Sequence, residues 1–243
     1  MIYGAIIGGI ELLIFFIISY KIRKGNFQLQ SINSVSYYWF MLTILTMIWE
    51  IAFISNYDNV SNYSNTLIRH KEHVWTNKYS ILYILPWRLS EIFYAEYGAY
   101  ADREYMLLHN DWSRIIEGTH AIFCGFFALC AIIFKFNNRN MLYLITGSIS
   151  MGSQLMNSLL YMFNYFNQLN DRDNVNYNNY LFPVGKFLYK RPFMYVNIFW
   201  TFMPLYTIIY LIIKYLNKNN TQYYFTKNYN MKSKSDSSIK LKN

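Results

Sequence analysis

Three carboxylates stand where a charge is hardest to keep. Glu11, Glu50 and Glu117 each fall inside an apolar block long enough to cross a bilayer. Even lenient insertion scales assign a charged side chain there a cost of at least ~2.5 kcal/mol, so each needs a partner or a task. Two carboxyls in one apolar pocket can have their proton affinities driven apart, one donating a proton while the other accepts it. That division suits shifting a carbon–carbon double bond. A proton arrives on one carbon, another leaves a neighbour, and a carbocation lies between. A tryptophan face steadies such a cation through its ring quadrupole.

Spacing gathers more polar groups around these acids. Trp39, Thr43, Thr46 and Glu50 are separated by four, three and four residues and line one helix face. Glu117, His120, Ala121, Cys124 and Gly125 form a second polar or small-residue face. Gln154, Asn157, Ser158 and Tyr161 form a third, and Asn197, Trp200 and Pro204 a fourth. In lipid such stripes must face one another or a cavity. Each also has a plainer reading. The Gln154–Tyr161 stripe reads equally as interhelical hydrogen bonding. Glu117 suits a helix start, Glu50 a paired or snorkelling carboxylate, and His120 a packing residue. Glu11 shares a face with Gly4 and Gly8 and reads as structural, or as a partner of polar groups in the bundle.

The elements that must position these groups are membrane helices. Of 243 residues 54% are hydrophobic and 14% charged, against about 25% charged in a soluble domain. Five stretches match the ~20 residues a helix needs to span a bilayer: Ile2–Tyr20, Val35–Ile54, Ile115–Phe134, Met141–Phe166 and Phe193–Ile213. The first lacks a basic leader and an A-x-A-like site, so it reads as a retained helix. The expected fold class is therefore all-α, a five-helix membrane bundle with an intramembrane pocket. At ~1.5 Å per residue, Glu50, Glu117 and Asn197 fall within about 6 Å of one level.

The net charge of +9 suggests nucleic acid, but its distribution argues against it. Twelve of the 22 basic residues sit at Lys21–Lys24, at Lys135 and Arg139, and in the tail from Lys214 to Lys242. That pattern orients a membrane protein, placing the tail in the cytosol and the N-terminus in the lumen. Two sequons, Asn59-Val-Ser61 and Asn62-Tyr-Ser64, fall on the lumenal side. Domain limits follow: 1–24 an N-terminal helix, 35–215 a four-helix domain with a long lumenal linker 57–111, and 216–243 a disordered basic tail. Within the linker, Tyr57–Asn77 reads as polar and flexible and Tyr79–Met106 as an interfacial helix; Asn167–Asn179 reads as a polar loop. Cys124 and Cys130 are six apart and do not face each other. His70, His73 and His109 are scattered and give no metal spacing. Phosphate-loop, H-E-x-x-H and G-x-S-x-G motifs are absent, and neither a metal nor a cofactor is expected.

The order of these residues resembles the EXPERA-domain family, in its emopamil-binding protein (sterol Δ8–Δ7 isomerase) branch, over roughly Ser36–Tyr215. Trp49-Glu50 followed by aromatics and Tyr57 is similar to that family's acid-bearing segment. Glu96-Tyr97 with Asp102 and Tyr105 resembles E-Y-A-x-x-D-x-R-Y with one extra residue. Glu117, Ala121 and Gly125 keep the spacing of acid, small residue and glycine. Gln154 and Tyr161 match Q-x-x-x-x-x-x-Y, and Asn197-Ile-Phe-Trp200-Thr-Phe-Met-Pro204 matches N-x-x-W-x-x-x-P. Thr46, His120 and Ser158 stand where the family has a histidine, a hydroxyl residue and an aspartate; the acid before span three falls on Asn110 or Asp111. The resemblance implies a cholestenol isomerase of the endoplasmic reticulum, with a sterol or other lipid-like small molecule as partner and a possible homodimer. Glu50 and Glu117 would exchange protons, Trp200 would steady the cation and Asn197 would orient an acid or the ligand. Trp39, Thr46, His120, Gln154, Ser158 and Tyr161 would line the substrate pocket. The alternative it leaves is a non-catalytic relative that binds sterols or cationic amphiphiles.

Overall fold

The computed structural model describes residues 1–101, 111–168 and 195–217; of 111–115, 117 and 164–168 it describes the backbone alone. Eight α-helices appear in these segments. The first, α1 (Gly4–Lys24), ends in Lys21, Arg23 and Lys24, cations that complement the C-terminal dipole. A short α2 (Phe27–Gln30) follows, capped by Asn26 Oδ1, which accepts from Leu29 N at 3.0 Å. Asn33 caps α3 (Ser34–Ser55) in the same way. Then come α4 (Tyr57–His70), α5 (Pro86–Tyr100) with proline in its first turn, α6 (Asp111–Phe136), α7 (Asn140–Gln168) and α8 (Tyr195–Asn217).

Four of these are long and apolar enough to cross a membrane: α1, α3, α6 from Gly118, and α8. The fifth expected span, Met141–Phe166, lies within the 29-residue α7 but does not join them. The reason is chemical. Thr146, Ser150, Ser153, Gln154, Asn157 and Ser158 dilute its hydropathy, and four of them are buried in the bundle. Apolar side chains instead cover the outside: Leu13 and Phe16 on α1, Phe126 and Ile133 on α6, Phe199 and Phe202 on α8 are all exposed. Polar groups inside and hydrocarbon outside is the arrangement a lipid solvent requires.

The long helices alternate in direction. At one end Arg23 Nη2 donates to Ile32 O at 2.9 Å, Lys214 Nζ donates to Ser31 O at 2.9 Å, and Asn26 Nδ2 donates to Phe136 O at 3.5 Å. The basic segments at Lys21–Lys24, Lys135–Arg139 and Lys214 therefore share one end. Glycines draw α3 and α6 together: a Cβ at Gly125 would run into Met47 and lie 2.9 Å from the Thr43 carbonyl oxygen, and one at Gly118 would run into Ile54.

The linker differs from expectation. Its first part is not flexible: Tyr57–His70 forms α4, whose Val60, Ser64, Leu67 and Ile68 are buried at helical spacing. Its second part does not lie free on a surface. α5 packs against α3 and α4, burying Leu89, Ser90, Ile92, Tyr94 and Ala95 among others. Between them, β2 (Lys78–Tyr79) pairs antiparallel with β1 (Ile2–Tyr3), so that α1 starts at Gly4 rather than Ile2. Asp102, Tyr105, Asn110, the loop from 169 and the tail beyond 217 lie outside the described residues.

Candidate functional site

The polar stripes of α3, α6, α7 and α8 turn toward one cavity of about 380 Å³. From α3 it receives Leu42, Thr43, Thr46, Trp49 and Glu50, and from α6 His120, Ala121 and Cys124. Gln154, Asn157, Ser158 and Tyr161 come from α7, Val196, Asn197 and Trp200 from α8. α1 adds Leu12, and α5 adds Phe93, Tyr94 and Tyr97.

Glu50 is the carboxylate in this wall among residues with described side chains, and it is buried. Tyr94 OH donates to its Oε1, which fixes the carboxyl plane. Oε2 then faces α6, only 3.7 Å from where a Gly118 Cβ would stand. Glu117 immediately precedes this glycine, so the helix backbone brings residue 117 to the level of the Glu50 carboxyl; its side chain lies outside the described residues. Glu11 takes no part in the cavity lining. It is buried behind the wall, where its Oε1 accepts from Trp49 Nε1 at 3.1 Å. Its companions Gly4 and Gly8 face Val74 and Trp75 of the strap before β2, not another long helix.

The deep end of the cavity is aromatic and amide-lined. Trp39 sits behind the wall rather than in it. Its indole donates to Gln154 Oε1 at 2.9 Å, and its ring meets Trp200 edge-on, with centroids 4.7 Å apart. Ser158 Oγ donates to Trp200 O at 2.9 Å, tying α7 to α8. His120 Nε2 lies 2.9 Å from both Ser153 O and Ser153 Oγ, with Cys124 Sγ 3.3 Å away. The histidine therefore bridges α6 to α7 while facing the cavity. At the other end the Tyr97 and Tyr161 hydroxyls meet at 3.0 Å, joining α5 to α7.

Sequence reasoning missed Tyr94 and Tyr97 as pocket residues, because it placed both in an interfacial helix. The signal was present. Ser90, Tyr94 and Tyr97 repeat the four-and-three spacing of the α3 stripe. All three bond into the bundle, Ser90 through Trp49 O at 3.1 Å.

Fold and cavity together define a helical membrane-type protein with an apolar chamber between its helices, carrying one clamped carboxylate and a tryptophan face. No protein family, curated protein or solved structure matches this chain.

Proposed function

We propose that the chamber binds a sterol and shifts its ring double bond, as a Δ8–Δ7 isomerase does. One observation carries the reading: Glu50 is a buried carboxyl in an apolar membrane chamber whose wall also holds Trp200. One carboxyl gives a proton to an alkene carbon, and the positive charge develops on the neighbour. The second carboxyl removes a proton from the next carbon, so the double bond moves and no atom is gained or lost. Glu50 and Glu117 take these two parts. Trp200 offers its ring face to the cation, an interaction worth ~2 kcal/mol or more when desolvated. Asn197, Asn157 and Tyr161 shape the pocket around the rings.

In this reading α7 is the fifth span, with its polar face turned to the chamber and Ile145, Ile149, Met156 and Leu160 exposed on its outer face. The shared basic end is cytosolic, the opposite end lumenal, and the membrane is the endoplasmic reticulum. The test is rescue of a sterol auxotroph that lacks the isomerase. The wild-type chain restores Δ7 sterol; Glu50→Gln and Glu117→Gln do not. Failure of the wild type to change the sterol profile ends the catalytic reading.

A second reading is favoured by the same carboxylate. A binding protein without turnover would pair Glu50 with the ammonium of a cationic amphiphile and cap it with Trp200. Saturable binding without rescue selects it.

A further inference from the structure

Gln154 carries an uncommitted donor at the deep end of the chamber. It is 4% exposed and lines the cavity. The orientation of its amide is fixed by chemistry. Trp39 Nε1–H can only donate, so the amide atom 2.9 Å from it must be Oε1. The indole cannot swing away to release that atom, because its ring is pinned edge-on against Trp200. The Gln154 NH₂ group therefore points away from Trp39, and it has no acceptor among the described residues. Neighbouring hydroxyl protons are spent on main-chain carbonyls: Thr43 on Trp39 O, Thr46 on Thr43 O and Ser158 on Trp200 O, each at 2.9 Å.

A buried donor left unmet is expensive, so the ligand is expected to meet it. We infer that Gln154 Nε2 recognises a neutral oxygen substituent, hydroxyl or keto, on one end of a rigid apolar ligand. Trp39 lies eleven residues before Glu50, about 16 Å along α3. The amide and the carboxylate thus meet the ligand at different depths of the chamber, oxygen toward Gln154 and reacting region toward Glu50. This inference rests on the sterol reading above and names the group that makes the site prefer an oxygenated sterol over a plain hydrocarbon.

The experiment compares two probes on the full chain in lipid nanodiscs, cholest-8-en-3β-ol and cholest-8-ene, which differ by one hydroxyl. The wild-type chain should bind the alcohol roughly tenfold more tightly, since the donor is met in one complex and stranded in the other. Gln154→Leu should bring the two affinities within about twofold, with the hydrocarbon held at least as well as before. Trp39→Phe removes the indole that fixes the amide and should lower the preference without removing Gln154, which supplies the comparison if Gln154→Leu does not fold. A wild-type chain that binds both probes equally, or a Gln154→Leu chain that keeps the preference, overturns the inference and leaves the sterol reading standing. A wild-type chain that binds neither probe overturns both.

Discussion

Alanine at Gly125 tests whether the chamber wall depends on the close approach of α3 and α6. The new Cβ would run into Met47 Cβ and lie 2.9 Å from the Thr43 carbonyl oxygen. Carbon atoms prefer separations of about 3.5–4.0 Å. Because one obstacle is main chain, no side-chain rotation relieves it and the helices must part by a large fraction of an ångström. Overpacking of this kind costs about 1–3 kcal/mol. At Gly118 the obstacle is the side chain of Ile54, which can rotate, so the penalty is smaller; at Gly152 nothing lies within 4 Å. All three substitutions gain the same ~1 kcal/mol of helix propensity, so comparing them isolates the clash. The expected order of stability is Gly152→Ala, then Gly118→Ala, then Gly125→Ala. At about 2–4 °C per kcal/mol, the extremes should differ by roughly 2–12 °C in unfolding midpoint. Tryptophan fluorescence of the full chain in detergent micelles, followed on heating, reads this order. Gly125→Ala melting together with Gly152→Ala would refute the close-approach argument.

Tyr94→Phe removes the hydroxyl that fixes Glu50; sterol turnover or amphiphile binding should fall by about 10- to 100-fold, as expected for a hydrogen bond to a carboxylate, and an unchanged value assigns Tyr94 a packing role. Trp49→Phe strands Glu11 in the core and should destabilise the fold by about 1–3 kcal/mol. Adding Glu11→Leu should recover most of that loss, and additive losses in the double variant would show that the two residues are not coupled. Glu96→Ala should speed proteolysis between Lys71 and Asn77 without unfolding the bundle, because Glu96 accepts from Val74 N at 3.0 Å and pairs with His73 at 2.6 Å. Burial lifts Tyr79 and Tyr83 above the usual phenol value of 10.0. The unfolded chain ionises first, so the stability they contribute is intact below pH 10.0 and is lost as pH climbs into their raised range. Tyr79→Phe should therefore flatten the alkaline decline in melting temperature.

The long helices were legible because hydropathy and helical period are local properties. So was the convergence of Thr46, Glu50, His120, Gln154, Ser158, Tyr161, Asn197 and Trp200, since polar residues in an oily helix have few places to go. Trp39 shows the limit of that logic: it shares a helix face with Thr43 and Glu50, yet its ring faces Gln154 behind the wall. The face gives a direction and not a depth. Helix α4 was hidden by composition, because its buried stripe includes a serine and its other faces are rich in asparagine. The strap that pairs β1 with β2 could not be read at all. It rests on two-residue strands whose pairing joins positions more than seventy residues apart, and no local pattern carries such a contact.

These missed elements fix the geometry of the acid. Tyr94 reaches Glu50 from α5, and α5 is held by Glu96, which grips His73 and Val74 of the strap. The strap in turn receives Gly4 N at Asn77 O, 2.9 Å, and Ala5 N at Trp75 O, 3.2 Å, which anchors the start of α1. α1 then returns to α3 through Glu11 and Trp49, next to Glu50 in the chain. The contacts close a ring of α3, α5, strap and α1 around the carboxyl. α1 is therefore more than a membrane anchor: its Leu12 lines the chamber, and its Glu11 holds the tryptophan that forms the wall beside the acid. A buried carboxylate held by Tyr94 gives up the freedom to snorkel toward water. That is the condition under which its desolvation can act on a bound ligand instead of being relieved by solvent.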